Sequence, residues 1–223
     1  TRRSSDLFTV TTLAGVRVED PEVFDAVHAE PARWVREGLV QGLRVDHPDG
    51  LADPAGYARR LRSHVLPEGY LVVEKILEPG EALPAAWPVD GTTGYEFMNQ
   101  VSLLQHDPAG EAVLCSLWSE TSGRTTDFME EARQARQLVL TGPLAGDFET
   151  VAQALLQVAR GDVMTRDITL GAIRRALLEL IIHFPVYRTY IAASGRRKAD
   201  EPFFQQALEG AKTTLGEADW PLL

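Results

Sequence analysis

Two short apolar segments separated by one helix constrain the fold of this chain more than any other feature of its sequence. Residues 39–45 and 70–73 are rich in Val and Leu and are too short for helices. Between them, Asp53-Pro54 is a helix start signal, and apolar side chains recur at helical spacing over residues 57–65. About 24 residues that contain a helix can bring the chain back as a parallel strand, which predicts a βαβ unit. The expected class is therefore α/β.

The sequence before and after this unit predicts further elements of the same kind. Residues 7–18 favour a strand, and a helix should begin at Asp20-Pro21 and end before Gly38. The apolar positions of that helix are Val23, Phe24, Val27, Trp34 and Val35. Residues 79–99 combine Pro and Gly with no periodicity, which predicts a long irregular loop.

The second half of the chain has a different pattern, with apolar stripes at helical spacing and no strand signal. The expected helices cover residues 127–140, 148–161, 173–184 and 203–211. We therefore divide the chain into a strand-and-helix part, residues 1–100, and a mainly helical part, residues 101–223.

Composition and charge exclude several classes of protein. The 223 residues hold 22 Lys and Arg against 32 Asp and Glu, a net charge of −10, and no basic run is long enough for nucleic-acid binding. The longest apolar stretch, residues 177–184, is interrupted by Glu179 and His183 and is too short to cross a membrane. A single cysteine and no signal-peptide pattern predict a cytoplasmic protein. Because Cys and His pairs at metal-ligand spacing are absent from the sequence, we expect no metal and no other cofactor.

Two carboxylates follow the two strands of the βαβ unit at equivalent positions, Asp46 and Glu74. Parallel strands end at the same edge of a sheet, about 4.8 Å apart, and a retaining glycosidase holds its two carboxyl groups roughly 5 to 5.5 Å apart. Arg44 lies on the same face of its strand as Asp46, where a guanidinium could orient that carboxylate and keep it ionised. Surface carboxylates at ordinary strand ends would give the same spacing.

The residues around both carboxylates form a set of motifs. Gly42-Leu43-Arg44-Val45-Asp46 has the form Gly-x-Arg-x-Asp, and other distinctive stretches are LAGVRVE (13–19), GLRVDHPDGLADP (42–54), VEKIL (73–77), WP (87–88), GTTGYEF (91–97) and HFPVYRTY (183–190). The first motif resembles the signature of glycoside hydrolase family 13, the α-amylase family. The complete set resembles the malto-oligosyltrehalose synthases of that family and extends over nearly the whole chain.

This resemblance implies a (β/α)8 TIM barrel with its active site at the carboxyl ends of the strands, interrupted by a helical insertion. The chain would then be a partial barrel segment followed by a mainly α-helical insertion. Asp46 would be the nucleophile and Glu74 the acid/base of an intramolecular transglucosylation. That reaction converts the reducing-end α-1,4 bond of a malto-oligosaccharide into an α,α-1,1 bond. The implied partner is the malto-oligosaccharide substrate, and no cofactor is implied.

Four further residues are candidates for contact with that substrate. The released glucose must stay bound and turn while water is kept out. Lys75, Trp87 and Tyr95 are candidates for holding it, because ammonium groups bond to sugar hydroxyls and aromatic rings stack on sugar faces. His47 could contact substrate hydroxyls beside the nucleophile. Packing or turn formation would explain these residues equally well.

The resemblance leaves one essential group unassigned. Enzymes of this kind are several times longer and carry a third carboxylate in a late His-Asp signature, whereas His106-Asp107 here precedes Pro108 and is typical of a turn. We therefore expect the isolated chain to be inactive. Because half a barrel leaves strand edges unpaired, the chain should either self-associate or adopt a reshaped fold. Two alternatives stay open, namely an α-amylase-type glucan hydrolase or transglucosidase and a non-catalytic glucan-binding module.

Overall fold

A computed structural model describes residues 15–191 and 195–223, and the chain divides into two compact units between Gln105 and His106. In the described residues, parallel strands occur only in the first unit, and the second is built from helices. The elements are α1 (Pro21–Arg36), β1 (Gly42–Val45), α2 (Pro54–His64), β2 (Tyr70–Val73), β3 (Gly91–Thr92), α3 (Tyr95–Leu103), α4 (Glu111–Ser122), α5 (Phe128–Thr141), α6 (Ala145–Arg160), α7 (Leu170–Ile182) and α8 (Glu201–Thr214).

The sheet of the first unit is parallel and has the strand order β1-β2-β3. β1 pairs with β2 from Gly42 opposite Tyr70 to Val45 opposite Val73. α2 is the crossover between them, so the predicted βαβ unit is confirmed. The first strand begins at Gly42 rather than at residue 39.

The two long helices of this unit begin where the sequence predicts. Asp20 caps α1 by accepting a hydrogen bond from the amide of Glu22, and Asp53 caps α2 by accepting one from the amide of Gly56. Each helix has Pro at its first position, where the missing amide hydrogen costs nothing. These capping residues therefore set the points at which the chain turns back over the sheet.

The core of the first unit lies between these helices and the sheet. It contains Phe24, Leu61, Leu66 and Leu71, each almost fully buried and each contributing about 1.5 to 3 kcal/mol. In α1 the buried face follows a spacing of four residues through Phe24, His28 and Ala32. The expected apolar face of this helix was wrong at Val27 and Trp34, which are exposed, because a histidine occupies the buried position between Phe24 and Ala32.

His28 bonds within α1 through one ring nitrogen and to α2 through the other. Nδ1 donates to the carbonyl oxygen of Phe24 at 2.7 Å, and Nε2 lies 2.9 Å from the hydroxyl of Tyr57. When the ring is neutral, Nε2 accepts the hydroxyl proton. Burial raises the pKa of Tyr57 to about 12, so this hydroxyl remains a donor at neutral pH.

Arg62 and Asp90 hold the segment that leads into β3 against the sheet. Arg62 Nη2 donates to Asp90 Oδ2 at 2.9 Å, and other guanidinium nitrogens donate to the carbonyls of Gly69 and Pro88. The same Asp90 oxygen accepts a hydrogen bond from the amide of Leu71 at 2.6 Å. These bonds bring β3 alongside β2.

The expected irregular loop over residues 79–99 was wrong in its second half, which contains β3 and the beginning of α3. A strand of two residues is too short to show alternation. None of the residues of α3 is buried, although Phe97, Met98 and Val101 recur at helical spacing and could have indicated a helix.

The helical unit confirms most of the elements predicted for it. Helices α5 to α8 overlap the four predicted ranges, whereas α4 lies where no helix was predicted and has no buried residue. Ala152, Leu156 and Ile173 form a core between α6 and α7. α7 and α8 approach closely at Gly210, where a Cβ atom would lie 2.6 Å from Cγ of His183.

Part of the first predicted strand falls outside the described residues. Of residues 7–18, only residues 15–18 are described, and they do not form a strand. Over the described ranges, no helix has the length and apolar character needed to cross a membrane.

The Arg62–Asp90 contact predicts a specific acid sensitivity. The amide of Leu71, and secondly Arg62, lower the pKa of Asp90 below its ordinary value of 3.8. The stability that this lowering provides is present above the ordinary pKa and is lost as the pH falls through the lowered value. We therefore expect the free energy of unfolding of the wild-type chain to fall more steeply below about pH 4 than that of Asp90→Asn.

Chemical denaturation at a series of pH values measures this difference. Asp25→Asn, which neutralises an exposed carboxylate of α1, is the control and should keep the wild-type slope. Parallel curves for Asp90→Asn and the wild type would contradict the prediction.

Candidate functional site

Asp46 and Glu74 stand at the same edge of the sheet, each directly after its strand. The β1–β2 register places Val45 opposite Val73, so the two carboxylate residues occupy equivalent positions. The amide of Glu74 donates to the carbonyl of Val45 at 2.7 Å, which continues the ladder to this edge. The amide of His47 donates to Glu74 Oε2 at 2.8 Å. The Glu74 carboxylate is therefore held against the backbone that immediately follows Asp46.

Arg44 and Asp46 pair on one face of β1, as the alternation of strand side chains predicts. Arg44 Nη1 lies 2.6 Å from Asp46 Oδ1. The Asp46 side chain is 71% exposed and that of Arg44 is 51% exposed, so the carboxylate is open to a ligand on one side and oriented by a cation on the other.

The turn after Asp46 contains an unusual backbone conformation. His47 has φ 47° and ψ 47°, and it is the one residue other than glycine with positive φ in the described part of the chain. A left-handed residue that is not glycine costs energy and needs support from its surroundings. Gly50 provides room for it, because a Cβ atom at this position would lie 2.8 Å from Cδ2 of the His47 ring.

Lys75 is fully buried and lies between two carboxylates. Its Nζ is 2.7 Å from Glu81 Oε1 and 3.5 Å from Asp49 Oδ2, and both acidic side chains are more than nine-tenths buried. Asp49 belongs to the turn after β1, Lys75 follows Glu74, and Glu81 comes from the next loop. Three segments therefore meet at one ammonium group.

Glu19, which precedes α1, holds the far end of the turn that follows β1. Glu19 Oε1 accepts hydrogen bonds from the amides of Ala52 and Asp53, at 2.8 and 3.1 Å. Sequence reasoning gave Glu81 no role, because nothing in a loop sequence indicates that its carboxylate will be buried beside a lysine.

Trp87 and Tyr95 lie in the segment that follows. Trp87 is buried, and its amide donates to the carbonyl of Pro84 at 2.9 Å. Tyr95 is half-buried and is the first residue of α3. Three residues before it, Thr92 ends β3 and donates through Oγ1 to Glu96 at 2.8 Å.

The other polar candidates have structural roles. Asp107 accepts a hydrogen bond from the amide of Ala109 at 2.9 Å and caps a short 3-10 turn. His183 is 12% exposed at the end of α7, and its pKa is lowered mainly by burial, partly offset by Glu179. Among residues 15–191 and 195–223, no group of three or more acidic, His or Cys side chains is arranged to hold a metal ion.

Known proteins of one kind resemble this chain. No family model matches it. Two curated proteins from strains of Mycobacterium tuberculosis carry the name maltooligosyl trehalose synthase; they are 54% identical over 110 residues, which is 49% of this chain and 14% of theirs. The solved maltooligosyltrehalose synthase of Arthrobacter ramosus is 39% identical with a TM-score of 0.77, over 95% of this chain and 26% of that one. This chain is homologous to part of the maltooligosyltrehalose synthases.

A second solved structure agrees. A glycosyltrehalose synthase is 32% identical with a TM-score of 0.65, over 89% of this chain and 25% of that one. The likeness to maltooligosyltrehalose synthases inferred from the motifs is therefore confirmed. The chain spans about a quarter of the solved synthases and 14% of the curated ones.

The contact between Gly50 and His47 leads to a testable prediction. In Gly50→Ala the new methyl group would meet the His47 ring at 2.8 to 3.0 Å, so the ring must move. The backbone of Gly50 has no positive φ, so we expect the free energy of unfolding to change by less than about 1 kcal/mol. The ring resonances of His47 in NMR spectra should shift.

Gly91→Ala is the matched control, because no atom lies within 4 Å of the position of its Cβ. It should leave the His47 ring resonances unchanged. Unshifted His47 resonances in Gly50→Ala would show that the ring is not held against Gly50.

Proposed function

We propose that this chain is a segment of a maltooligosyltrehalose synthase and contributes two catalytic carboxylates, the nucleophile Asp46 and the acid/base Glu74. The observation that carries the proposal is the bond from the His47 amide to Glu74, which ties the second carboxylate to the residue after the first. The homology to synthases of this kind supports the proposal that the two carboxylates form a catalytic pair.

The proposed architecture is a partial (β/α)8 barrel over residues 1–100, of the type found in glycoside hydrolase family 13, with a helical insertion over residues 101–223. Three parallel strands, two of them with a carboxylate directly after their carboxyl ends, support it, because barrel enzymes place their active sites at that face. The division of the chain between Gln105 and His106 is consistent with this boundary.

The first chemical step breaks the α-1,4 bond at the reducing end of a malto-oligosaccharide. Glu74 donates a proton to the glycosidic oxygen while the Asp46 carboxylate attacks the anomeric carbon. The bond from that carbon to the leaving oxygen breaks as an ester bond to Asp46 forms. The products of this step are a glycosyl ester on Asp46 and free glucose.

The second step reverses the roles of the two carboxylates. Glu74 takes the proton of the anomeric hydroxyl of the retained glucose, and that oxygen attacks the anomeric carbon of the ester. The Asp46 carboxylate leaves, and an α,α-1,1 bond joins the two sugars. No oxidant, reductant or water is consumed, so the overall change is an isomerisation.

The remaining site residues would support these steps. Arg44, 2.6 Å from Asp46, would orient the nucleophile and keep it ionised. We propose that His47 contacts substrate hydroxyls and that Tyr95, at the start of α3, contributes to the acceptor-glucose site. Trp87 is 6% exposed, so we propose that it supports this site by packing rather than by stacking on a sugar face.

A chimera tests this proposal. The chain would replace the matching part of the Arthrobacter ramosus synthase, and the product would be incubated with maltopentaose while reducing ends and glucose are followed. We expect reducing ends to disappear without an equal release of glucose. Glu74→Gln should lower kcat by roughly 100-fold to 10,000-fold, and Asp46→Asn should abolish the covalent intermediate.

Asp25→Asn is the matched control, since it neutralises an exposed carboxylate of α1, and it should keep full activity. The isolated chain should show no activity on maltopentaose. Glucose release by a folded chimera would indicate a hydrolase. A folded chimera with no activity on maltopentaose would contradict the proposal.

We also propose that the isolated chain self-associates. β1 and β3 are the outer strands among the described residues, and outer strands present unpaired backbone donors and acceptors. Tyr70 and Leu39, near the start of the paired strands, are more than 60% exposed. Sedimentation velocity at micromolar concentration should show a species heavier than 24.6 kDa. A single monomeric boundary would contradict self-association.

A further inference from the structure

The buried ammonium of Lys75 connects the two segments that carry the proposed catalytic carboxylates. Lys75 follows Glu74 directly, and its Nζ lies 3.5 Å from Asp49, which belongs to the turn that follows Asp46. The bond from the His47 amide to Glu74 joins the same two segments at a second point. Two contacts between these segments fix both their separation and their relative orientation, whereas a single contact would leave the orientation free.

We infer that Lys75 is a positioning residue that holds the turn after β1 against the end of β2 through Asp49, and so sets the geometry of Asp46 and Glu74. Its side chain is fully buried, so the ammonium acts through the carboxylates around it. The catalytic part of this inference rests on the proposed function. The structural part of it concerns Lys75, Asp49 and Glu81 alone.

The burial of one ammonium group and two carboxylates explains why the lysine is needed for this positioning role. A buried lysine is stable only when paired, and removal of one partner from a buried pair leaves an uncompensated charge. Without the ammonium, the buried carboxylates of Asp49 and Glu81 would repel each other across the space it filled. The turn would then open, because the left-handed backbone of His47 already has a conformational cost.

Glu81 and Asp49 hold the same ammonium but belong to different segments. Asp49 lies in the turn beside His47, whereas Glu81 lies in the loop after Lys75 and accepts a hydrogen bond from the amide of Glu78. Substituting each partner therefore separates the effect on the turn from the effect on the loop.

Amide hydrogen exchange on the full chain tests the positioning role without any substrate. In Lys75→Met, the amides of His47 and Gly50 should exchange at least about tenfold faster, beyond any change in the amides of α2. Asp49→Asn should reproduce this local change, whereas Glu81→Gln should leave the His47 amide protected. Lys212→Met removes an ion pair of α8 and should alter none of these amides.

Two results would overturn the inference. The first is an equal acceleration of every amide in Lys75→Met, which a general loss of stability would produce. The second is an unchanged His47 amide in both Lys75→Met and Asp49→Asn. Because Asp49→Asn keeps the lysine, it remains informative if Lys75→Met fails to fold.

A kinetic measurement on the chimera separates positioning from sugar contact. A positioning residue should lower kcat with little change in KM, whereas a residue that bonds to the substrate throughout the reaction should mainly raise KM. An inactive parent chimera would contradict the proposed function and leave the exchange result standing. An active chimera whose Lys75→Met variant has raised KM and unchanged kcat would contradict positioning.

Discussion

The parallel pairing of β1 with β2 is the constraint on which the rest of the first unit depends. Its register brings the ends of both strands to one edge, so that Asp46 and Glu74 occupy equivalent positions. A shift of one residue would move the side chains of one strand to the opposite face relative to the other and would take Glu74 out of line with Asp46. The crossover helix α2 and the buried Leu71 hold this register from one side of the sheet.

Much of this arrangement could be predicted from the sequence because it depends on local rules. Asp20-Pro21 and Asp53-Pro54 start helices by capping chemistry that acts over three residues, and short apolar runs form strands. The capped helices, the βαβ unit and the place of both carboxylates at strand ends followed directly. The likeness to trehalose-forming synthases followed from motifs rather than from any physical pattern.

The missed features depend on contacts between residues distant in sequence. β3 exists because Asp90 bonds to Arg62 and to the amide of Leu71, and two residues carry no period of their own. The burial of Lys75 depends on Asp49 and Glu81, which local reasoning treats as solvated charges. Helix α4 is different, because Leu114, Leu117 and Trp118 recur at helical spacing and the helix could have been predicted from its sequence.

The contacts that orient the proposed catalytic edge have a consequence for synthesis on the ribosome. Glu19, His47, Lys75, Glu81 and Asp90 all lie ahead of the helical unit, which begins at His106. Domains generally fold in order as they emerge. The sheet edge can therefore assemble as soon as residues 15–105 have left the ribosome, before the helical unit has folded.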